Sequence, residues 1–200
     1  MRLPAPERRQ QLLDVACEMF AERGFHSTSM DDIAATAGVT KPVLYQHFPS
    51  KRALYLELLD GIGADLLSAI TAATDRATTG RERVEQGFHA YFRWVAGNRA
   101  AFRLLFGASV RNDAEFAEIA DRVIEQVAEA VTTLIDIEGS STHRTVLAHA
   151  LVGIAEATSR RLSTEDAESD PEVLASWLAE MAWFGLRGVR AEEAALRDAR

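Results

Sequence analysis

Apolar positions along this chain recur at helical spacing almost throughout, and no stretch alternates apolar and polar residues long enough for a strand. The pattern predicts an all-α fold of about nine helices, cut by glycine, proline and short polar runs. In the first predicted helix, Glu7 to Arg23, the residues Leu13, Ala16 and Phe20 share a face, and Gly24 closes it. The stretch HSTSMDDIAATAG follows. Thr28 and Ser29 are both placed to cap a second helix, each with an aspartate three residues on, Asp31 and Asp32. Met30, Ile33 and Ala37 form its inward stripe, and Gly38 permits the left-handed turn of a tight corner. Thr40 is placed to cap a third helix, where Pro42 is tolerated because it lies in the first turn. Phe48-Pro49-Ser50 ends that helix, and Ser50 can cap a long fourth one from Lys51 to about Thr74. Longer helices follow near 81–97, 99–107, 113–137, 142–163 and 171–189, joined by polar stretches such as RATTGRE, EGSSTH and STEDAESDPE.

Two short helices joined by a glycine corner and braced by a longer first helix make a helix-turn-helix, whose second helix enters a DNA major groove. The third helix suits that task. Leu44 and Phe48 face inward at i and i+4, which leaves Thr40, Lys41, Val43 and Tyr45 outside. Hydroxyls and a lysine suit phosphates or base edges, and an aliphatic group suits a thymine methyl. Thr28 and Lys51 flank the unit where the DNA backbones pass.

The stretch GFHSTSMDDIAATAGVTKPVLYQHFPSKRALYLELL resembles the DNA-binding domain of the TetR (tetracycline repressor) family, in register over about residues 8–58. Phe20, Gly24, Phe25, Ile33, Ala34, Gly38, Val39, Leu44, Tyr45, His47, Phe48 and Lys51 carry the match. The resemblance implies that Thr28, Thr40, Tyr45, His47 and Lys51 touch phosphates, with Lys41, Pro42 and Val43 nearest the base edges. Pro42 stands where many members have glycine. It also implies a division into a helix-turn-helix domain, 1–52, and a helical domain for ligand binding and dimerisation, 53–200. The function expected is that of a ligand-responsive repressor, binding palindromic operator DNA as a homodimer.

Net charge modifies this picture. The chain of 200 residues carries −8 overall, and residues 1–60 hold seven Lys/Arg against eight Asp/Glu. Attraction to DNA must therefore be local, and general affinity modest. A single cysteine, Cys17, fits a reducing compartment and reads as a structural thiol. The N-terminal MRLPAPERRQ lacks the apolar stretch of a signal peptide, and no apolar run is long enough for a membrane span, so the expected location is the cytoplasm.

Other chemistry is sparse. Gly61-Ile-Gly63 follows a helix, not a strand, and so is no dinucleotide loop. His89 and His149 have no second ligand at metal spacing, no nucleophile motif surrounds a serine, and no cofactor or metal is expected. The run Glu165–Asp170 reads as a solvated loop. In FHAYFRWVAGNRAAFRLLF the phenylalanines Phe88, Phe92, Phe102 and Phe106 read chiefly as core, but helices meeting around large side chains also line cavities. An effector that is small and mainly apolar is expected there, oriented by Tyr91, His89, Arg103 and His149. The segments MDDIAATAGVTKPVLYQHF and AAFRLLFGASV are similar to actinobacterial regulators of fatty-acid synthesis, which implies acyl-coenzyme A as one such effector. A helical enzyme or a plain ligand carrier is the competing expectation, and neither needs the Thr40–Lys51 helix.

The last two helices carry more apolar surface than one core needs. Val146, Leu147, Ala150, Leu151 and Ile154 cover a wide arc of one. On the other, Leu174, Trp177, Leu178, Met181 and Phe184 form a stripe, and Val173, Trp183 and Leu186 form a second face. A helix apolar on both sides is buried on both, which predicts a two-fold interface.

Overall fold

The structure, a computed structural model, describes residues 3–135, 140–162 and 170–188. Every regular element among them is a helix: α1 (Ala5–Arg23), α2 (Met30–Thr36), α3 (Lys41–His47), α4 (Lys51–Thr74), α5 (Gly80–Gly97), α6 (Arg99–Phe106), α7 (Ala108–Arg111), α8 (Ala114–Leu134), α9 (Ser141–Leu162) and α10 (Pro171–Gly188). Nine coincide with the predicted helices to within a few residues. The tenth, α7, is a single turn and leaves no period to detect. The expected helix ends at 137, 163 and 189 and most of the acidic run Glu165–Asp170 lie outside the described residues, as do Glu138 and Gly139 of the EGSSTH connection. No helix among the described residues is long and apolar enough to cross a membrane.

The chain gathers into two compact units, one built from Met1–Ala64 and Asn98–Asp121, the other from Asp65–Gly97 and Arg122–Arg200. In the first, α1 starts behind Pro4 with a second proline in its opening turn. It ends where Gly24 takes φ 81° and donates its N–H to the Phe20 carbonyl at 2.9 Å. The buried residues of α1 are Leu12, Ala16, Met19 and Phe20, whereas Leu13 is only half-buried, so the inward stripe runs one position earlier than the spacing of Leu13 suggests. Helix α6 buries Ala100, Ala101, Phe102, Leu104, Leu105 and Phe106 and packs on α1. That burial is why α6 belongs with the N-terminal helices although it lies far along the chain. Phe20, Phe25, Tyr55 and Phe116 form an aromatic cluster, with centroids 4.5 Å apart for Tyr55 and Phe116 and 5.0 Å for Phe25 and Phe116. Each such ring contributes about 1.5–3 kcal/mol through removal from water. Arg52 closes the cluster. Its guanidinium lies 4.7 Å over Phe116 and forks onto Asp113 at 2.8 and 2.9 Å.

In the second unit α10 packs along α5. Its buried residues are Ala175, Ala179 and Ala182, and methyl side chains at this spacing let the two backbones approach closely. On α5 the buried residues are mostly large: Phe88, Tyr91, Phe92 and Trp94, with Ala90 the exception. Trp94 donates its indole N–H to Asp65 at 2.7 Å, which satisfies the ring's polar end. The large apolar residues of α10 do not fill this core. Val173, Trp177, Met181 and Phe184 stand 40, 64, 49 and 60% exposed, while Leu174, Leu178, Trp183 and Leu186 are half-buried. On α9, Val146 and Ala150 are exposed, and Leu147, Leu151 and Ile154 are half-buried.

Candidate nucleic-acid interface

Helix α2 begins with a reciprocal cap. Ser29 accepts the Asp32 N–H at 3.1 Å, and Asp32 accepts the Ser29 N–H at 3.1 Å. The Ser29 hydroxyl also donates to the Asp32 carboxylate at 2.5 Å, and this bond, followed by the one from the Ser29 N–H, holds the carboxyl below its usual range. Met30, Ile33, Ala34 and Ala37 bury the inner face. Gly38 then takes φ 67°, a left-handed turn that a side chain would strain. The Val39 N–H returns to the Ala34 carbonyl at 2.9 Å, and α3 starts at once. Thr40 stands at its N-cap position without a side-chain capping bond.

Leu44 and Phe48, both buried, fix which face of α3 turns inward. Lys41, Pro42, Tyr45 and Gln46 are exposed, as is Thr40, while Val43 and His47 are half-buried. Thr40 through His47 thus present hydroxyls, an amide, an imidazole and one ammonium on a single short rod. Hydrogen bonding to base edges and phosphates needs that set of groups.

Two of the expected phosphate contacts have internal partners. The Thr28 hydroxyl is buried and donates to the Gly24 carbonyl at 2.9 Å. Lys51 lies 4.5 Å over the Phe25 ring and donates to the carbonyls of Phe25, Thr28 and His26 at 2.7, 2.9 and 3.4 Å. Both residues tie the loop between α1 and α2 to the rest of the unit.

Arg9 supplies a brace that sequence spacing does not reveal. It lies 38 residues before its partner His47, whose carbonyl takes a 2.8 Å hydrogen bond from it. Its guanidinium sits 4.3 Å over Phe48 and pairs with Glu57. Lys41 has a partner too. Its ammonium lies 2.8 and 3.0 Å from the two oxygens of Asp31, which holds it above the usual lysine range.

The residues expected around an effector are divided between the units. Phe102 and Phe106 are buried on α6 with centroids 4.9 Å apart, and Arg103 is exposed on the same helix. In the other unit Phe88, Tyr91 and Phe92 are buried on α5. There His89 lies 2.7 Å from Glu172, which also takes a bond from Arg93, and His149 lies 2.9 Å from Glu125. Of these side chains only the phenylalanines and Tyr91 are in core positions. No cluster of metal-ligating side chains occurs among the described residues.

Comparison with known proteins gives this geometry its context. Residues 12–58 match the family described as bacterial regulatory proteins, tetR family, and residues 81–185 match the tetracyclin repressor-like C-terminal domain. The chain is 36% identical over 190 residues to the HTH-type transcriptional activator FasR of Mycolicibacterium smegmatis, covering 94% of this chain and 87% of that protein. A TetR-like transcriptional regulator from Rhodococcus sp. RHA1 superimposes with a TM-score of 0.77 at 30% identity, over 94% of this chain and all of the other. The fold is also that of the regulator FadR from Bacillus subtilis in complex with stearoyl-CoA, at a TM-score of 0.76, 16% identity, and 90 and 99% coverage. With the helix-turn-helix built from Ser29 to Phe48 and both family domains in place, the chain belongs to the TetR family of DNA-binding transcriptional regulators and is not an enzyme.

Proposed function

We propose that this regulator binds a palindromic operator as a homodimer in the cytoplasm and that a small, mainly apolar effector, acyl-coenzyme A or a similar lipid, alters its hold on DNA. The observation that carries the reading is the exposed side of α3, with Thr40, Lys41, Pro42, Tyr45 and Gln46 outward and Leu44 and Phe48 pinned inward. Residues 1–52 supply the DNA contacts in this reading, and 53–200 hold the effector and the dimer surface. Thr28 and Lys51 act at the DNA backbone chiefly by fixing the loop that faces it, since their side chains are bonded inside the unit.

The dimer reading is supported by the α10 stripe of Val173, Trp177, Met181 and Phe184, with Val146 on α9. So large an apolar stripe left in water marks an association surface. Pairing with its own copy makes a four-helix arrangement. Two copies of α3 then read two half-sites when their spacing fits the roughly 34 Å helical repeat. An effector that favours another spacing weakens binding by no more than its differential affinity for the two states. Phe88 and Phe92, with the apolar character of the C-terminal helices, support an apolar ligand, and the same fold accommodates stearoyl-CoA in FadR. Repression is the expectation from sequence, whereas FasR is an activator by name. Controlled occupancy yields either sign according to where the operator lies beside the promoter.

The test is selection of bound duplexes from a random pool, followed by titration with stearoyl-CoA and with free coenzyme A. An inverted repeat should emerge, and the acyl form alone should change operator affinity by roughly 5- to 150-fold. Enrichment of nothing defeats the DNA reading. An unrepeated site defeats the two-fold reading, and indifference to acyl chains defeats the effector.

A further inference from the structure

Helix α3, KPVLYQH, holds one Lys or Arg, and that residue is bonded to a carboxylate. Asp31 and Asp32 stand together in the first turn of α2, but their positions separate their tasks. Asp32 makes the reciprocal cap with Ser29. Asp31 takes no part in it and reaches across the corner to Lys41 with both oxygens. The two side chains are 64 and 57% exposed, so the pair lies on the open surface. The Tyr45 ring, one turn along α3, lies 6.0 Å from the same ammonium.

We infer that Asp31 is a positioning residue for DNA recognition, which holds Lys41 across the α2–α3 corner and so withholds the one ammonium of α3 from arbitrary DNA. The inference rests on the reading of α3 as the helix that meets DNA. Binding without sequence preference is driven by cations that displace counterions from phosphates. A lysine already paired must leave its carboxylate before it can do so. At an operator the ammonium can meet a base edge with its third donor while Asp31 still holds it, whereas neutralising a phosphate of an arbitrary duplex requires it to leave the carboxylate. Asp31 therefore widens the gap between specific and non-specific binding. Exposed ion pairs are weak, so the effect is about two- to fivefold.

The experiment measures binding of the full chain to a random-sequence duplex and to an operator enriched by the wild-type protein, at several salt concentrations. The proteins are wild type, Asp31→Asn, Asp31→Glu, Lys41→Ala and the double variant Asp31→Asn with Lys41→Ala. Asp31→Asn should tighten random-duplex binding about two- to fivefold, steepen its salt dependence by up to about one unit, and change operator affinity less. Asp31→Glu should behave as wild type, because it restores the carboxylate. The gain should vanish in the Lys41→Ala background. A gain that persists there makes Asp31 a bulk negative charge and overturns the inference. No gain from Asp31→Asn, while Lys41→Ala weakens binding, overturns it as well. Lys41→Ala with no effect on either duplex overturns the inference together with the placement of α3 on DNA. Thermal unfolding separates all of these from misfolding, since the Ser29–Asp32 cap is untouched in every variant.

Discussion

Lys51 gathers the carbonyls of Phe25, His26 and Thr28 around one ammonium, and so ties the loop between α1 and α2 to the start of α4. Hydrogen bonds to a charged group contribute roughly 1.5–3 kcal/mol. Lys51→Met, which keeps the stem but not the charge, should therefore lower the melting temperature by several degrees, which a calorimetric scan would register. An unchanged melting point, with only DNA affinity reduced, would return Lys51 to a pure phosphate contact. Cys17 makes a different point. Burial, with Glu18 and Asp14 nearby, pushes its thiol from 9.0 up to about 11. A folded state that holds a proton more tightly gains stability from it while the proton is present. The contribution is whole below pH 9 and is lost as pH rises toward 11. Between those limits wild type should lose more stability than Cys17→Ala, as read from urea midpoints at each pH.

At the scale of elements, α3 is held from three sides: by the Gly38 corner, by its own Leu44 and Phe48, and by Arg9 at its last carbonyl. Gly38→Ala places a side chain in a left-handed conformation at a cost of about 1–2 kcal/mol. Nothing lies within 4 Å of the added methyl, so the change is one of strain rather than collision. Operator affinity should fall along with stability, and a variant as stable as wild type would remove the corner from the list of constraints. The corner, the caps at Ser29 and Ser50 and the inward pair were legible because each depends on residues a few positions apart, whereas Thr40 and Thr28 make no side-chain cap. The Arg9 brace was not, because nothing in the sequence signals that Arg9 returns to a residue 38 positions later. Nor was the true inward stripe of α1, where adjacent Leu12 and Leu13 satisfy a helical period equally well. On α10 the pattern marks two apolar faces but not which belongs to the chain's own core. The structure gives that place to alanines, whose small size matters more to close packing on α5 than the hydrophobicity of their larger neighbours.

For the whole molecule, the proposed dimer depends on Trp177 and Phe184, which are 64 and 60% exposed and support little of the chain's own fold. Trp177→Glu with Phe184→Glu is therefore a cleaner disruption than any change at half-buried Leu151. It should yield folded monomers by light scattering at micromolar concentration, with operator binding lost although α3 is intact. An obligate interface of this kind should bury more than about 2,000 Å² in total. A double variant that still runs as a dimer would move the interface elsewhere.

The three tryptophans, Trp94, Trp177 and Trp183, all lie beyond residue 64, and none is in the helix-turn-helix. Tryptophan emission, unlike that of Tyr45 on α3, thus reports on the unit that holds α5 and α10 and not on the helix-turn-helix. Trp94, buried and bonded to Asp65, provides a steady background. Trp177, open to water, emits to the red until something covers it. If the proposed dimer covers Trp177, the colour of the unlabelled protein becomes its meter, readable on dilution and without any DNA.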